Sequence, residues 1–414
     1  MSAVDKIRLA KQASGALAQA NTLQKNAALE AIAVSLEANT KAIIEANALD
    51  IEAGVSSGLS AGLQDRLTLN EQRISALAQA VRSIAILPDP IGDVAKGMTL
   101  PNGLKLTQVA VPFGVVGAIY EARPNVTIDI AALALKAGNA SVLRGGSAAE
   151  NTNLLLVKIL QRAIASVGLP GDSVQTVDDF GRAGAVEMMQ ARGLVDVLIP
   201  RGSASLIKAV VEESKVPVIE TGDGVVHIFI DESARLDWSV EIVHNSKVQR
   251  PSVCNALETL LIHEAAFDRV AKPIFDKLSA SGVTIHGDER VCAAWPDAVA
   301  ATEADWSAEY YSLDLAVRVV SDLDEALSHI AKYSTHHTES IITEDIANAE
   351  RFLAEVDSAV VMVNAATRFT DGGEFGFGAE VGISTQKLHA RGPMGLAELT
   401  STKWLVRGSG QTRV

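Results

Sequence analysis

Short apolar segments alternate with longer amphipathic segments from residue 115 onward, and this alternation constrains the fold more than any other feature. The strand-like segments of this region are residues 115–119, 141–143, 174–177, 195–199, 216–219, 225–230, 259–263, 316–320, 339–342 and 359–363. Helical patterns separate them, for example over residues 127–136 and 148–167. Such alternation is typical of βαβ units, so the sequence predicts an α/β fold with parallel sheets. Ligand contacts are then expected beyond the carboxyl ends of the strands.

Composition excludes several other classes of protein. The chain has 414 residues, of which 48% are hydrophobic and only 4% aromatic, which favours aliphatic cores in two or three domains. Its 36 basic and 50 acidic residues give a net charge of −14, which argues against nucleic-acid binding. We find no apolar run long enough to cross a membrane and no secretory signal, so we expect a cytoplasmic protein.

The two cysteines are candidates for different roles. Cys254 follows a helical segment that carries Lys247 and Arg250, and cationic neighbours favour the nucleophilic thiolate. The alternative is that Cys254 is a small buried apolar residue. Cys292 has acidic neighbours and is assigned no function, and neither cysteine has the spacing of a metal site, so no metal is expected.

Asn125 lies at the carboxyl end of the first parallel strand, just before a helix. Its amide could donate to a developing oxyanion, although an N-cap is the more common use of asparagine there. Glu220 ends an apolar segment before two glycines and is either a base or a turn-capping acid.

Two further turns could hold an anionic cofactor. Gly202 and Ser203 lie between a strand and a helix, where backbone N–H groups can bind a phosphate. Arg144 ends another strand, where a guanidinium could bind the 2′-phosphate of NADP or simply face solvent.

Five segments together resemble the aldehyde dehydrogenase superfamily, and within it the enzymes that reduce gamma-glutamyl phosphate. They are VPFGVVGAIYEARPN (111–125), KAGN (136–139), QRPSVCNA (249–256), HHTE (336–339) and GFGAEVGIS (376–384). The resemblance implies an aldehyde-dehydrogenase-like fold with two Rossmann-like α/β domains and a small oligomerisation hairpin. It divides the chain into an NADP-binding domain (1–97 and 112–230), a catalytic domain (231–367), the hairpin (98–111 and 396–414) and a glycine-rich loop region near the active site (368–395).

The resemblance also implies roles for particular residues. Cys254 would form a thioacyl enzyme, with Asn125 as the side-chain oxyanion donor. Cofactor contacts would come from Arg144, Gly202, Ser203 and Glu309. Arg144 replaces the usual lysine at its position, which suits NADP. The sequences that follow Glu220 and Glu309 depart from the superfamily pattern, which leaves the role of Glu220 open.

The implied activity is the NADPH-dependent reduction of L-glutamyl 5-phosphate to L-glutamate 5-semialdehyde and phosphate, the second step of proline biosynthesis from glutamate. The product would cyclise to 1-pyrroline-5-carboxylate, and Lys247, Arg250 or Arg123 are candidates to bind the substrate's anionic groups. The resemblance further implies a homo-oligomer and a functional association with glutamate 5-kinase. The alternatives are a hydrolytic NAD(P)-dependent aldehyde dehydrogenase and a catalytically silent protein that retains the fold.

Overall fold

The computed structural model describes residues 1–121 and 123–413, so Ala122 and Val414 lie outside the described residues. The chain divides into two compact units. The first consists of Met1–Thr221, Gly376–Gly382 and Met394–Val414, and the second of Gly222–Phe375 and Ile383–Pro393.

The first unit begins with a run of helices, as the Ala- and Leu-rich sequence of residues 4–87 predicts. A capping box of Ser2 and Asp5 satisfies the N–H groups at the start of the first helix. The elements of this part are α1 Ala3–Leu17, α2 Thr22–Ala38, α3 Thr40–Ser56, α4 Ala61–Leu67, α5 Glu71–Ile86, β1 Val94–Thr99, β2 Lys105–Pro112, β3 Val115–Tyr120, α6 Pro124–Lys136, β4 Ala140–Arg144, α7 Glu150–Ser166, β5 Val174–Thr176, α8 Gly181–Gln190, β6 Val197–Arg201 and α9 Ala204–Glu213.

Strands β3 to β6 form a parallel sheet in the order β5-β4-β3-β6. Every residue of β3 is buried, as expected for a strand with helices on both faces of its sheet. Gly117 in β3 lacks the space for a side chain, because an added Cβ would lie 2.4 Å from Leu198 Cδ2. Because β3, β4 and β6 are parallel, their carboxyl ends lead into turns at the same edge of this sheet.

The second unit contains the larger parallel sheet, in the order β10-β9-β11-β8-β7-β12-β13. Buried aliphatic and phenylalanine side chains pack on both faces of this sheet. Its elements are β7 Val226–Ile230, α10 Leu236–Val248, β8 Leu257–His263, α11 Glu264–Ala280, β9 Thr284–Gly287, α12 Glu289–Ala294, β10 Val299–Ala300, β11 Asp314–Val320, α13 Leu323–Tyr333, β12 Thr338–Ile342, α14 Ile346–Glu355 and β13 Val360–Val363.

The remaining strands are β14 Gly382–Ser384, β15 Gly392–Met394 and β16 Thr400–Arg407. Strand β16 pairs with β2 in antiparallel register from Thr400 opposite Pro112 to Arg407 opposite Lys105. Strand β1 pairs with the other edge of β2, so the first unit also carries a three-stranded antiparallel sheet.

The structure confirms the α/β fold with two parallel sheets and changes some predicted boundaries. The first domain was expected to extend to residue 230, but β7 hydrogen-bonds to β8 and β12, so residues 222–230 belong to the second unit. The predicted two-stranded hairpin of residues 98–111 and 396–414 has a third strand, β1, which begins at Val94. Residues 216–219 form only an isolated bridge, from Val218 to Leu198. No helix of the described chain is long and apolar enough to span a membrane.

Candidate active site

Cys254 lies in the loop between α10 and β8. Helix α10 ends at Val248, three residues before Pro251, which cannot continue a helix. The loop closes with a turn in which the Ala256 N–H donates to the Val253 carbonyl at 3.0 Å. Cys254 is half-buried, and neither cysteine forms a disulfide within the described chain. A half-buried thiol in a loop does not fit the alternative of a small apolar residue packed in a core.

The residue after Cys254 fixes this loop to the turn at residues 367–370. The Asn255 amide donates to the Thr370 carbonyl at 2.8 Å, and the Thr367 hydroxyl donates to the Asn255 carbonyl at 2.8 Å. The Thr367 N–H also donates to the Ser246 hydroxyl, on α10, at 3.1 Å. These buried hydrogen bonds hold the loop from both sides and restrict the motion of the Cys254 backbone.

The backbone of Gly224 contacts Cys254 directly. An added Cβ at Gly224 would lie 1.5 Å from the Cys254 carbonyl oxygen, so only glycine fits. The Gly224 N–H donates to Glu309 Oε1 at 2.8 Å. The hydroxyl of Thr335 holds the same segment, because it accepts from the Val225 N–H at 3.0 Å and donates to the Asp223 carbonyl at 2.6 Å.

Glu309 was predicted to contact the cofactor. In the structure its carboxylate accepts a hydrogen bond from the Gly224 segment of the second unit. Burial raises its pKa, whereas the Gly224 hydrogen bond lowers it. Its other neighbour is Tyr311, whose hydroxyl hydrogen-bonds to the Glu309 carboxylate and interacts electrostatically with Cys254. Tyr311 adopts a left-handed φ of 55°, which is uncommon for an aromatic residue. Sequence reasoning missed Tyr311.

The cations near Cys254 differ from those expected. The Lys247 ammonium is fully buried and lies 2.7 Å from the equally buried Glu258 carboxylate. Burial lowers the pKa of Lys247 and raises that of Glu258, although each charge favours ionisation of the other. The expectation that Lys247 binds substrate is therefore wrong, because this side chain is enclosed and already paired.

Arg368, which was not predicted, is a further cation beside the Cys254 loop, in addition to the predicted Arg250. Its Nε donates to Gln249 Oε1 at 2.8 Å, so the guanidinium lies across the start of the Cys254 loop. Burial and the neighbouring charge of Arg250 lower the pKa of Arg368, and the ionisable side chains of Asp371, Cys254 and Glu374 oppose that shift. The sequence placed residues 368–395 near the active site, but nothing in it distinguished Arg368 from other arginines.

In the first unit, Asn125 is not the N-cap of α6. Arg123 occupies the N-cap and Pro124 the first helical position, so Asn125 lies inside the first turn. Its amide nitrogen donates to Asp129 Oδ2, one turn further on, at 3.3 Å. Burial raises the pKa of Asp129 to about 6. The amide of Asn125 has a second N–H available for another acceptor.

The predicted cofactor residues of the first unit lie at the ends of parallel strands. Arg144 is the last residue of β4, and its buried Nε has no hydrogen-bond partner within residues 1–121 and 123–413. Ser203 is the N-cap of α9, and its N–H donates to Glu121 Oε1 at 2.8 Å. Gly202 has a φ of 156°, and an added Cβ would lie 2.8 Å from the Glu121 side chain. Glu220 is half-buried in the same unit.

Comparison with known proteins agrees with this architecture. A sequence profile of the aldehyde dehydrogenase family matches residues 2–291. The chain belongs to this family.

More specific relatives are the gamma-glutamyl phosphate reductases of two bacteria. That of Leifsonia xyli subsp. xyli is 64% identical over 100% of this chain and 98% of its own length. That of Clavibacter michiganensis subsp. michiganensis is 65% identical over 98% and 94%, respectively. The crystal structure of gamma-glutamyl phosphate reductase from Thermotoga maritima matches with a TM-score of 0.98 and 44% identity, covering 100% of both chains. Within the aldehyde dehydrogenase family, the chain therefore groups with the gamma-glutamyl phosphate reductases.

Proposed function

We propose that this protein catalyses the NADPH-dependent reduction of L-glutamyl 5-phosphate to L-glutamate 5-semialdehyde and inorganic phosphate. The names of the relatives, which match essentially the whole chain, support this substrate. The observation that carries the proposal is the anchored loop that presents the half-buried Cys254 beside Arg368. Cationic neighbours of this kind stabilise a thiolate, which is the nucleophile that acyl transfer requires.

The proposed reaction begins when the Cys254 thiolate attacks the acyl carbon of the substrate. The bond from that carbon to the bridging oxygen breaks, inorganic phosphate leaves with the electron pair, and a thioester remains on Cys254. Addition of hydride to the thioester leaves the former carbonyl oxygen as an oxyanion, which re-forms the carbonyl double bond as the carbon–sulfur bond breaks and the sulfur takes the electron pair. The aldehyde leaves, and the Cys254 thiolate is regenerated for the next turnover.

Asn125 is the proposed donor to the carbonyl oxygen during both acyl transfer and reduction, as the family resemblance implies. Its geometry within the first unit is compatible with this role, because Asp129 engages the amide and fixes its direction. A preorganised donor of this type stabilises the negative charge that develops on the carbonyl oxygen.

NADPH is the proposed cofactor, with Arg144 at the adenosine phosphate and Gly202 and Ser203 at the pyrophosphate. When bound, NADPH supplies the hydride that reduces the thioester. The partnerless buried Nε of Arg144 fits an anionic group, and the start of α9 offers the N–H of Ser203. The Glu121 carboxylate holds that N–H and has to move aside for a pyrophosphate. For Glu309 we propose the predicted cofactor contact and, in addition, support of the Cys254 segment through its hydrogen bond with Gly224.

The proposal extends to assembly and location. Strands β1, β2 and β16 leave Met98, Trp404 and Val406 between 45% and 57% exposed, which suits an interface between copies of this chain. A glutamate 5-kinase would supply the acyl phosphate in proline biosynthesis, and the semialdehyde would cyclise with its own amine. A cytoplasmic location fits an enzyme that needs a reduced thiol.

Phosphate dependence tests the proposed reaction against hydrolytic aldehyde oxidation. The wild-type protein, given glutamate 5-semialdehyde and NADP⁺, should form NADPH only when inorganic phosphate is present, and acyl phosphate should accumulate. Rapid NADPH formation without phosphate would identify a hydrolytic enzyme, in which Glu220 would be the candidate base. No NADPH formation under either condition would favour a catalytically silent protein.

A further inference from the structure

Two arginines lie beside the Cys254 loop in the second unit, and only one of them is evident from the sequence near the cysteine. Arg250 belongs to the loop itself and is exposed. Arg368 comes from the turn after β13, more than a hundred residues later. Thr367, its neighbour in that turn, donates to the carbonyl of Asn255 at 2.8 Å, and Arg368 Nε donates to Gln249 Oε1 at 2.8 Å.

These hydrogen bonds place the guanidinium of Arg368 along the stretch that contains Cys254. Arg368 itself contacts Gln249, the residue before Arg250. Thr367 and Thr370, from the same turn, contact Asn255, the residue after Cys254. Arg368 is half-buried, and its charge interacts with Arg250, with Cys254 and with the carboxylates of Asp371 and Glu374. The two carboxylates offset part of the repulsion between the arginines, and a guanidinium beside the attacking sulfur can bind an anionic group of the substrate.

The chemistry of an acyl phosphate indicates which anion this is. The phosphate group is bonded through one oxygen to the carbon that the Cys254 thiolate attacks, so it must lie next to the sulfur atom. The α-carboxylate is at the opposite end of the glutamyl chain and cannot occupy the same place during the reaction. Planar guanidinium groups bind phosphate through paired hydrogen bonds.

We propose that Arg368 and Arg250 form the binding site for the phosphate group that leaves on acylation of Cys254 and that attacks the thioester in the reverse direction. This assignment rests on the proposed function, because only a phosphate-linked reaction needs such a site. Arg368 supplies the fixed, half-buried cation, and Arg250 supplies an exposed cation on the same loop as Cys254.

The test compares Arg368→Gln, Arg368→Lys and Arg250→Gln in the full chain, with Arg235→Gln as the control. Arg235 lies on the surface of the same unit and binds Asp237, away from this turn. NADP⁺ reduction is measured at varied inorganic phosphate and, separately, at varied semialdehyde. We expect Arg368→Gln to raise the KM for phosphate by about tenfold or more, as expected for the loss of a charged hydrogen bond, with less change in the KM for semialdehyde. Arg368→Lys should retain part of the affinity.

A second readout is independent of turnover. Inorganic phosphate should slow the alkylation of Cys254 by iodoacetamide in the wild type and in Arg235→Gln, and Arg368→Gln should lose this protection. The proposal is overturned if Arg368→Gln, folded by circular dichroism, keeps both the wild-type KM for phosphate and the protection. It is equally overturned if only the KM for semialdehyde rises, which would assign the arginines to the α-carboxylate. A wild type that turns over without phosphate would instead refute the proposed function.

Discussion

The backbone of Gly224 packs against the carbonyl group of Cys254 so closely that a Cβ at position 224 would lie 1.5 Å from the Cys254 oxygen. The same glycine donates its N–H to Glu309 at 2.8 Å. Gly224, just before β7, therefore fixes the position of Cys254, just before β8. Strands β7 and β8 are neighbours in the sheet.

Replacing this glycine should remove activity without removing the thiol. In Gly224→Ala the added methyl group displaces the Cys254 backbone, and a displacement of about 1 Å can lower the rate by about a hundredfold. Steady-state kinetics and alkylation of Cys254 would measure both effects. Gly15→Ala in α1 is the matched control, because an added Cβ there meets nothing within 4 Å. Wild-type kcat in folded Gly224→Ala would show that the contact has no functional importance.

Removing the negative charge at Glu121 should strengthen NADPH binding. The Glu121 carboxylate accepts the N–H of Ser203 at the start of α9 and would repel a pyrophosphate there. We expect Glu121→Gln to lower the Kd for NADPH several-fold, measured by fluorescence titration. A weaker affinity in this variant would indicate that the carboxylate itself contributes to the cofactor site.

The Lys247–Glu258 pair should be important for stability, because both side chains are fully buried at 2.7 Å. Lys247→Met leaves the Glu258 carboxylate unpaired in the interior and should reduce the free energy of unfolding by about 3–5 kcal/mol. The double variant Lys247→Met/Glu258→Leu should recover much of that loss. Urea unfolding of the three proteins measures these differences, and equal stability of the single variant and the wild type would contradict the assignment.

Acid should destabilise the protein through buried neutral histidines. Burial lowers the pKa of His337 to about 4 and that of His329 to about 3, below the ordinary value of 6.5. At a pH below 6.5 but above the folded pKa values, the unfolded chain binds more protons than the folded chain. The free energy of unfolding therefore decreases as the pH falls from about 6.5 towards 4.

His337→Gln isolates one of these contributions. In that pH range, each such histidine changes the free energy of unfolding by up to about 1.4 kcal/mol per pH unit. Urea midpoints at pH 7 and pH 5 should therefore differ less in His337→Gln than in the wild type. An unchanged pH dependence in the variant would contradict a neutral buried His337.

The fold was largely predictable from the sequence, because period and strand length distinguish buried parallel strands from helices. The fully apolar β3 and the helix that starts at Pro124 are examples. The domain boundary was placed too late because β7 looks the same in sequence whichever sheet it joins. Its hydrogen bonds to β8 and β12, which lie further along the chain, place β7 in the sheet of the second unit.

The site was predictable in part. The local sequence marked Cys254 as a candidate, and its role as nucleophile stays a prediction from the family resemblance. Charge spacing misidentified Lys247, because sequence does not reveal that this side chain is buried and paired with Glu258. Arg368 and Tyr311 come close to Cys254 only through long-range contacts. The N-cap alternative for Asn125 was wrong because Pro124 starts the helix one residue earlier.

Comparing Cys254→Ala with Cys292→Ala tests whether Cys254 is the nucleophile. Cys292 is the other cysteine, on α12, where its thiol interacts with the Gly287 carbonyl at 3.3 Å. With L-glutamyl 5-phosphate generated in place, NADPH oxidation should be abolished in Cys254→Ala and nearly unchanged in Cys292→Ala, while both variants bind NADPH as the wild type does. Turnover retained by Cys254→Ala would show that Cys254 is not the nucleophile.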